Sequence, residues 1–238
     1  MKKIEELKVK IFADGADKAD MLQMYSKSYI KGLTTNPTLM KRAGITNYRA
    51  FCKEILTDIK AKPISFEVFS DDFVEMERQA MEIAGWGDNI YVKVPITNTK
   101  RETCYDLVRT LGSRKVKLNV TAIMTLSQVR DVVSVLNPEV PSYVSIFAGR
   151  IADTGRDPVP MMAAAVEMLK VCPCAEIIWA SPRELLNIFQ ADDIGCQIIT
   201  VTNDILKKLM LVGYDLDHYS LDTVKMFYQD GVSADFKL

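Results

Sequence analysis

The chain has 238 residues, 48% hydrophobic and 26% charged, with a formal net charge of -1. That composition suits one large globular domain and excludes a disordered chain, while the near-zero charge gives no electrostatic footing for nucleic acid or an anionic membrane. The single histidine, His218, excludes a multi-histidine metal site and leaves only itself for a serine–histidine–aspartate triad.

The N-terminal MKKIEELKVKIF is charged and lacks the apolar core of a signal peptide. No apolar run reaches the roughly 18–20 residues that a membrane span needs. A soluble, cytoplasmic protein is expected, with no membrane and no nucleic-acid partner. Short, β-branched, apolar runs then recur at residues 9–14, 29–36, 63–70, 89–96, 116–123, 142–147, 175–181 and 197–202. Each reads as a buried parallel strand. Most segments between them read as helices. Residues 71–85 have Asp71 and Asp72 as N-cap candidates and end at Gly85, and residues 157–170 form another. Eight strand–helix units fit a (β/α)8 barrel, for which roughly 250 residues is typical. Residues 220–230 add a C-terminal helix. No linker interrupts the chain, so residues 1–238 are read as a single domain. A doubly wound open sheet is disfavoured, because the first strand runs into Ala13-Asp14-Gly15-Ala16-Asp17 rather than GxGxxG.

Strand side chains alternate between two faces. Ile64, Phe66 and Val68 oppose Ser65, Glu67 and Phe69. Ile90, Val92 and Val94 oppose Tyr91, Lys93 and Pro95. Val116, Leu118 and Val120 oppose Lys117, Asn119 and Thr121. The aliphatic parity is expected to meet the helices, and the polar one the barrel interior. Glu67, Lys93, Asn119 and Ser145 recur every 26 residues, about one βα unit. Polar residues near strand C-termini then meet in one ring, where barrels of this type build their sites.

A lone polar strand residue is usually just satisfied within the structure. A lysine between Val92 and Val94 is different, because its buried charge is costly unless paired or neutralised. One reading is a structural Lys93–Glu67 ion pair. The sharper one is a Schiff-base lysine whose neutral amine attacks a carbonyl. The protonated imine then serves as an electron sink for C–C cleavage, with no metal, histidine or cofactor. Asp14 and Glu67 are the candidates to move protons. The five cysteines, including Cys172-Pro-Cys174, lack CxxC spacing and read as inert thiols.

Five further motifs stand in order: Gly32-Leu33-Thr34-Thr35-Asn36-Pro37, Val92-Lys93-Val94-Pro95, Asn119-Val120-Thr121-Ala122, Phe147-Ala148-Gly149-Arg150-Ile151 and Ala180-Ser181-Pro182-Arg183. With them the chain resembles, over nearly its whole length, the transaldolase family and in particular its small bacterial members, which include fructose-6-phosphate aldolases. The resemblance implies class I aldolase chemistry on an (α/β)8 barrel. Lys93 matches the Schiff-base lysine, and Asp14 the aspartate that exchanges the proton of the C4 hydroxyl. Glu67 and Thr121 match the pair holding a catalytic water. Thr34, Asn36, Asn119 and Ser145 match residues around the substrate hydroxyls. Arg150 and Arg183, with Ser181 nearby, match the phosphate-binding arginines, whose rigid forks suit phosphate oxygens. Phosphorylated sugars are the implied substrates, within pentose phosphate carbohydrate metabolism. A homo-oligomer, pentamer or decamer, is implied, with the C-terminal helix in its contacts.

Simple aldolases of this family tend to carry glutamine and tyrosine where this chain has Glu67 and Phe147. The pair here is the transaldolase one. A phenylalanine has no hydroxyl to help release free dihydroxyacetone, so the bound three-carbon unit waits for an aldehyde. The expectation is a transaldolase, with fructose 6-phosphate as default donor and fructose-6-phosphate aldolase activity as the alternative. Ser181-Pro182-Arg183 departs from the common Ser-Phe-Arg. Pro182 either starts the next helix at its first position or alters the anion pocket, for example toward a sulfonated ketose. A silent sugar-phosphate-binding barrel is the alternative of another class, though it would be expected to have lost Lys93, Asp14 or the Glu67–Thr121 pair. Tyr91 and Trp179 read as barrel filling, and His218 as a surface residue.

Overall fold

The computed structural model describes residues 2–237. Eight parallel strands close a barrel in sequence order. They are β1 (Lys10–Asp14), β2 (Ile30–Thr34), β3 (Ile64–Glu67), β4 (Ile90–Pro95), β5 (Leu118–Ile123), β6 (Ser142–Ile146), β7 (Ala175–Trp179) and β8 (Ile198–Thr202). Around them run α1 (Lys18–Tyr25), α2 (Pro37–Arg42), α3 (Tyr48–Asp58), α4 (Phe73–Ala84), α5 (Tyr105–Ser113) and α6 (Leu126–Val133). The series continues with α7 (Ala148–Ala152), α8 (Val159–Leu169), α9 (Leu186–Asp193), α10 (Asn203–Leu206) and α11 (Leu216–Ser233). The fold is the (β/α)8 barrel expected from the eight apolar runs, with a C-terminal helix added. Among the described residues no helix is long and apolar enough to cross a membrane.

Side-chain oxygens start several helices by accepting an otherwise unpaired N–H. Asp17 caps α1, Asn36 caps α2 with Pro37 just inside it, Asn47 caps α3, and Asp72 caps α4. Asp71 takes no part in that cap; it accepts from the Thr99 N–H and hydroxyl at 2.7 and 2.6 Å.

The two strand faces divide as the alternation requires. Ile64, Phe66, Val92, Val94, Leu118 and Val120 are buried in the layer shared with the helices. Inside the barrel, Phe12, Tyr143, Ile178 and Ile198 form an apolar floor with Tyr91. Tyr91 stacks on Tyr143 at 3.9 Å, and Phe12 meets Tyr143 edge-on at 5.8 Å. Gly32 leaves room for that floor, since a Cβ there would lie 2.5 Å from the Phe12 ring. Tyr91 therefore fills the barrel. Trp179 does not: it sits in the outer, helix-facing layer and is 1% exposed. Its residue number places it in phase with Ile177, not with the inward Ile178.

Pairing is uneven around the barrel. β1 and β8 register over five positions, as do β6 and β7. β2 and β3 pair only through Leu33–Ile64 and Thr34–Ser65, and β7 and β8 only through Ile178–Ile198 and Trp179–Ile199. These two short seams divide the wall into a leaf of β8, β1 and β2 and a leaf of β3 to β7.

Two local expectations are corrected. Pro182 is not at the start of a helix: α9 begins at Leu186, and Asn187 Oδ1 accepts from the Arg183 and Glu184 amides. The C-terminal helix begins at Leu216, ahead of residue 220, because Asp215 caps it by accepting from His218 N. His218 is exposed in its first turn. No residue of α11 is buried, and Leu216, Val224, Phe227 and Tyr228 are among its exposed apolar side chains.

Candidate active site

The C-terminal strand ends enclose a cavity of about 560 Å³. Asp14, Thr34, Asn36, Glu67, Lys93, Asn119, Thr121, Ser145, Phe147, Arg150, Ser181 and Arg183 all line it. The structure thus brings all twelve candidate side chains to one place, carried by inward residues near the strand C-termini and by the turns that follow them.

Lys93 is buried at 6% exposure. Its Nζ lies 3.1 Å from Glu67 Oε2 and donates to the Thr35 carbonyl at 2.9 Å. The direct register of Glu67 with Lys93 across β3 and β4 sets this pairing. On the adjoining strands β8, β1 and β2, Thr34 Oγ1 donates to Asp14 Oδ1 at 2.7 Å and lies 2.5 Å from Thr200 Oγ1. Ser145 Oγ donates to Asn119 Oδ1 at 2.7 Å, and Asn119 Nδ2 donates to Ser65 Oγ at 3.0 Å. These bonds fix the Asn119 amide and leave its second N–H for the cavity. Asn36 uses its Oδ1 as the α2 cap, which likewise frees its amide donors. Thr121 Oγ1 is buried and has no hydrogen-bond partner among the described residues. A buried hydroxyl without a partner is costly, so this one is suited to water or substrate in the cavity.

Backbone distortion helps to aim these groups. Ala122 has φ +62°, and the β5–β6 register slips between Val120 and Ile123. The resulting bulge lets consecutive residues, Thr121 and Ala122, both face the cavity. Ser181 has φ +60° immediately before Pro182, a strained combination for a non-glycine residue. Such strain is found chiefly where function demands a particular aim.

The rim that carries Arg150 and Arg183 is built on two turns pressed together. Gly149 packs against the Ser181 carbonyl so closely that a Cβ would lie 1.5 Å from its oxygen. Arg150 sits over the Phe147 ring at 5.7 Å. Arg183 Nε donates to Asp153 Oδ1 at 2.8 Å, and its Nη2 to Asp153 Oδ2. Its Nη1 donates to the Ser181 carbonyl and hydroxyl at 3.1 and 2.9 Å. The guanidinium fork holds the Asp153 carboxyl below its ordinary pKa.

Sequence reasoning missed several residues here. Thr200, Thr202 and Arg42 also line the cavity. Extending the strand alternation to β8 would have found the two threonines. Arg42 stands at the end of the short α2, and Asp153 one turn beyond Arg150. Neither spacing carries a motif.

Burial pushes the Asp14 carboxyl above the ordinary 3.8, against the pull of the Lys93 charge and the Thr34 hydroxyl. A carboxyl raised on folding binds its proton more tightly in the folded state. Ionised Asp14 therefore costs stability at neutral pH, and the cost fades as pH falls through the raised pKa toward the ordinary one. Asp14→Asn keeps an acceptor for Thr34. It is expected to melt a few degrees above wild type at neutral pH, with the gap closing as pH approaches 3.8. Equal gaps across that range of thermal melts would contradict the assignment.

Among known proteins, a family model described as transaldolase/fructose-6-phosphate aldolase matches residues 11–235. A protein named "Probable transaldolase" from Dehalococcoides mccartyi is 30% identical over 203 residues, 85% of this chain and 90% of that protein. One of the same name from Clostridium kluyveri is 33% identical over 203 residues, covering 84% and 89%. Another, from Nitrosopumilus maritimus, is 31% identical over 205 residues, covering 85% and 87%.

Proposed function

The chain belongs to the transaldolase/fructose-6-phosphate aldolase family, and from that premise we propose that it transfers a dihydroxyacetone unit from a ketose phosphate to an aldose through a Schiff base on Lys93. The observation that carries this reading is a buried lysine, 3.1 Å from a carboxylate, facing a cavity with arginines at its rim. Fructose 6-phosphate is the default donor.

In this reading the neutral Lys93 amine adds to the ketose C2 carbonyl. Glu67, with a water held between it and the Thr121 hydroxyl, relays the protons that let the carbinolamine lose water. Asp14 takes the C4 hydroxyl proton, the C3–C4 bond breaks, and its electron pair flows to the iminium nitrogen as an enamine. The aldose phosphate departs. An acceptor aldehyde then adds at C3, Asp14 returns the proton, and water hydrolyses the new imine to free the product ketose and the Lys93 amine. Thr34, Asn36, Asn119 and Ser145 hold the hydroxyls, while Arg150, Arg183 and Ser181 take the anion. A raised Asp14 pKa suits a group that both accepts and returns a proton.

Phe147 offers the enamine no hydroxyl, which favours transfer over release. Glu67→Gln with Phe147→Tyr is expected to raise release of free dihydroxyacetone without acceptor by roughly a hundredfold, the lower end of the range for a general acid. The assay pairs fructose 6-phosphate with and without erythrose 4-phosphate. Wild-type turnover that needs no acceptor would replace transferase by aldolase. A sulfonated ketose is the second reading for the donor. It is favoured by the forked Arg183–Asp153 bond, which cancels one positive charge at the rim. Competition between phosphorylated and sulfonated ketoses decides between them.

The exposed apolar side chains of α11 support a homo-oligomer, pentamer or decamer, built through that helix; sedimentation velocity of the intact chain tests it.

A further inference from the structure

The β2–β3 ladder stops one bond short at the site. The Thr35 N–H donates to the Ser65 carbonyl at 3.2 Å. In a continued parallel ladder, the next bond would run from the Glu67 N–H to the Thr35 carbonyl. That carbonyl accepts from Lys93 Nζ at 2.9 Å. The Glu67 backbone, left without its strand partner, is taken by Tyr48 at the start of α3. Its hydroxyl accepts from the Glu67 N–H at 2.9 Å and donates to the Glu67 carbonyl at 2.8 Å.

A phenol serves both ends because it is donor and acceptor at once. Burial pushes the Tyr48 pKa well above its ordinary value, so the proton needed for donation stays in place. The ring is held from the side by Phe69, edge-on at 5.2 Å, and by Trp86 at 6.5 Å. Asn47 fixes the helix start by accepting from Ala50 N at 3.0 Å.

We propose that Tyr48 is a positioning residue for the Glu67 carboxylate: its hydroxyl replaces the ladder bond surrendered to Lys93 and holds the end of β3 where Glu67 reaches the lysine. The inference rests on reading Glu67 as a carboxylate that relays protons to Lys93. Without the hydroxyl, the last residue of β3 loses its anchor on the β2 side. The carboxylate then samples a range of separations from Nζ, and the protons of imine formation move less efficiently.

The test is Tyr48→Phe, which keeps the ring and removes only the hydroxyl, beside Trp86→Phe, which disturbs the packing around that ring and spares the hydroxyl. Lys93 imine formation with fructose 6-phosphate is followed by borohydride quenching in single turnovers across pH. The amplitude counts folded sites, whereas the rate constant reports on each site. Tyr48→Phe is expected to slow the rate constant by roughly tenfold, to displace the pH–rate profile, and to leave KM within about twofold. Trp86→Phe is expected to lower thermal stability while keeping the wild-type rate constant and profile. A Tyr48→Phe rate constant and profile equal to wild type overturn the proposal, as does an equal displacement by Trp86→Phe. Wild type that forms no Lys93 adduct with any ketose phosphate sinks the underlying reading of the site instead.

Discussion

Replacing Lys93 by alanine is expected to abolish borohydride-trapped adduct and to lower turnover by roughly 10⁴-fold or more, the scale on which deleting a nucleophile acts. The variant is expected to fold. Lys93 Nζ reaches the Thr35 carbonyl and Glu67, but Glu67 faces the cavity, where water can solvate a carboxylate left alone. The full penalty of a stranded buried charge therefore does not apply. Circular dichroism should match wild type, with a modest fall in Tm. Substantial residual transfer by Lys93→Ala would mean that the pair is structural and the chemistry lies elsewhere. Loss of the folded spectrum would mean that the pair holds the barrel together.

The second large effect is expected from Gly149→Ala, although Gly149 carries no side chain and no charge. The new methyl would stand 1.5 Å from the Ser181 carbonyl oxygen and 2.7 Å from its carbon. Both are backbone atoms, so rotation of a side chain cannot relieve the clash. The β6–α7 turn must part from the segment after β7. Overpacking of this kind costs about 3 kcal/mol or more, or roughly 6–12 °C in Tm for a domain of this size. The parting also separates Arg150 from Ser181 and Arg183. KM for a phosphorylated donor should rise sharply, while a donor without an anion should suffer little beyond the loss of stability. A variant with wild-type Tm and KM would show that the two turns are less tightly joined than the geometry implies.

Much of the barrel was legible because its physics is periodic. Eight apolar runs marked the strands, and the 26-residue recurrence of Glu67, Lys93, Asn119 and Ser145 marked the ring at their ends. Lys93 announced itself as a charge between valines. Other features depend on relations that alternation does not encode. Trp179 faces the helices against the barrel-filling expectation because the ends of its strand do not reveal its phase. Pro182 looked like a helix start because the positive φ of Ser181 leaves no compositional trace. Gly149 matters through a neighbour 32 positions away, and Tyr48 acts on Glu67 only because the ladder bond from Glu67 to the Thr35 carbonyl is missing. Asp153 was invisible for a similar reason: its bond to Arg183 joins two turns that the pairing of β6 with β7 brings together.

The short β2–β3 seam has a mechanical side. Asp14 and Thr34 belong to one leaf of the wall, and Glu67, Lys93, Asn119 and Thr121 to the other. Lys93 itself is a tie between the leaves, through the Thr35 carbonyl. An ammonium has three N–H bonds and keeps both Glu67 and Thr35; an iminium has one and must release a partner. Covalent capture of a ketose would thus loosen a rivet of the seam at the moment the aldose has to leave, coupling the bond chemistry to the freedom of one half of the barrel to shift against the other.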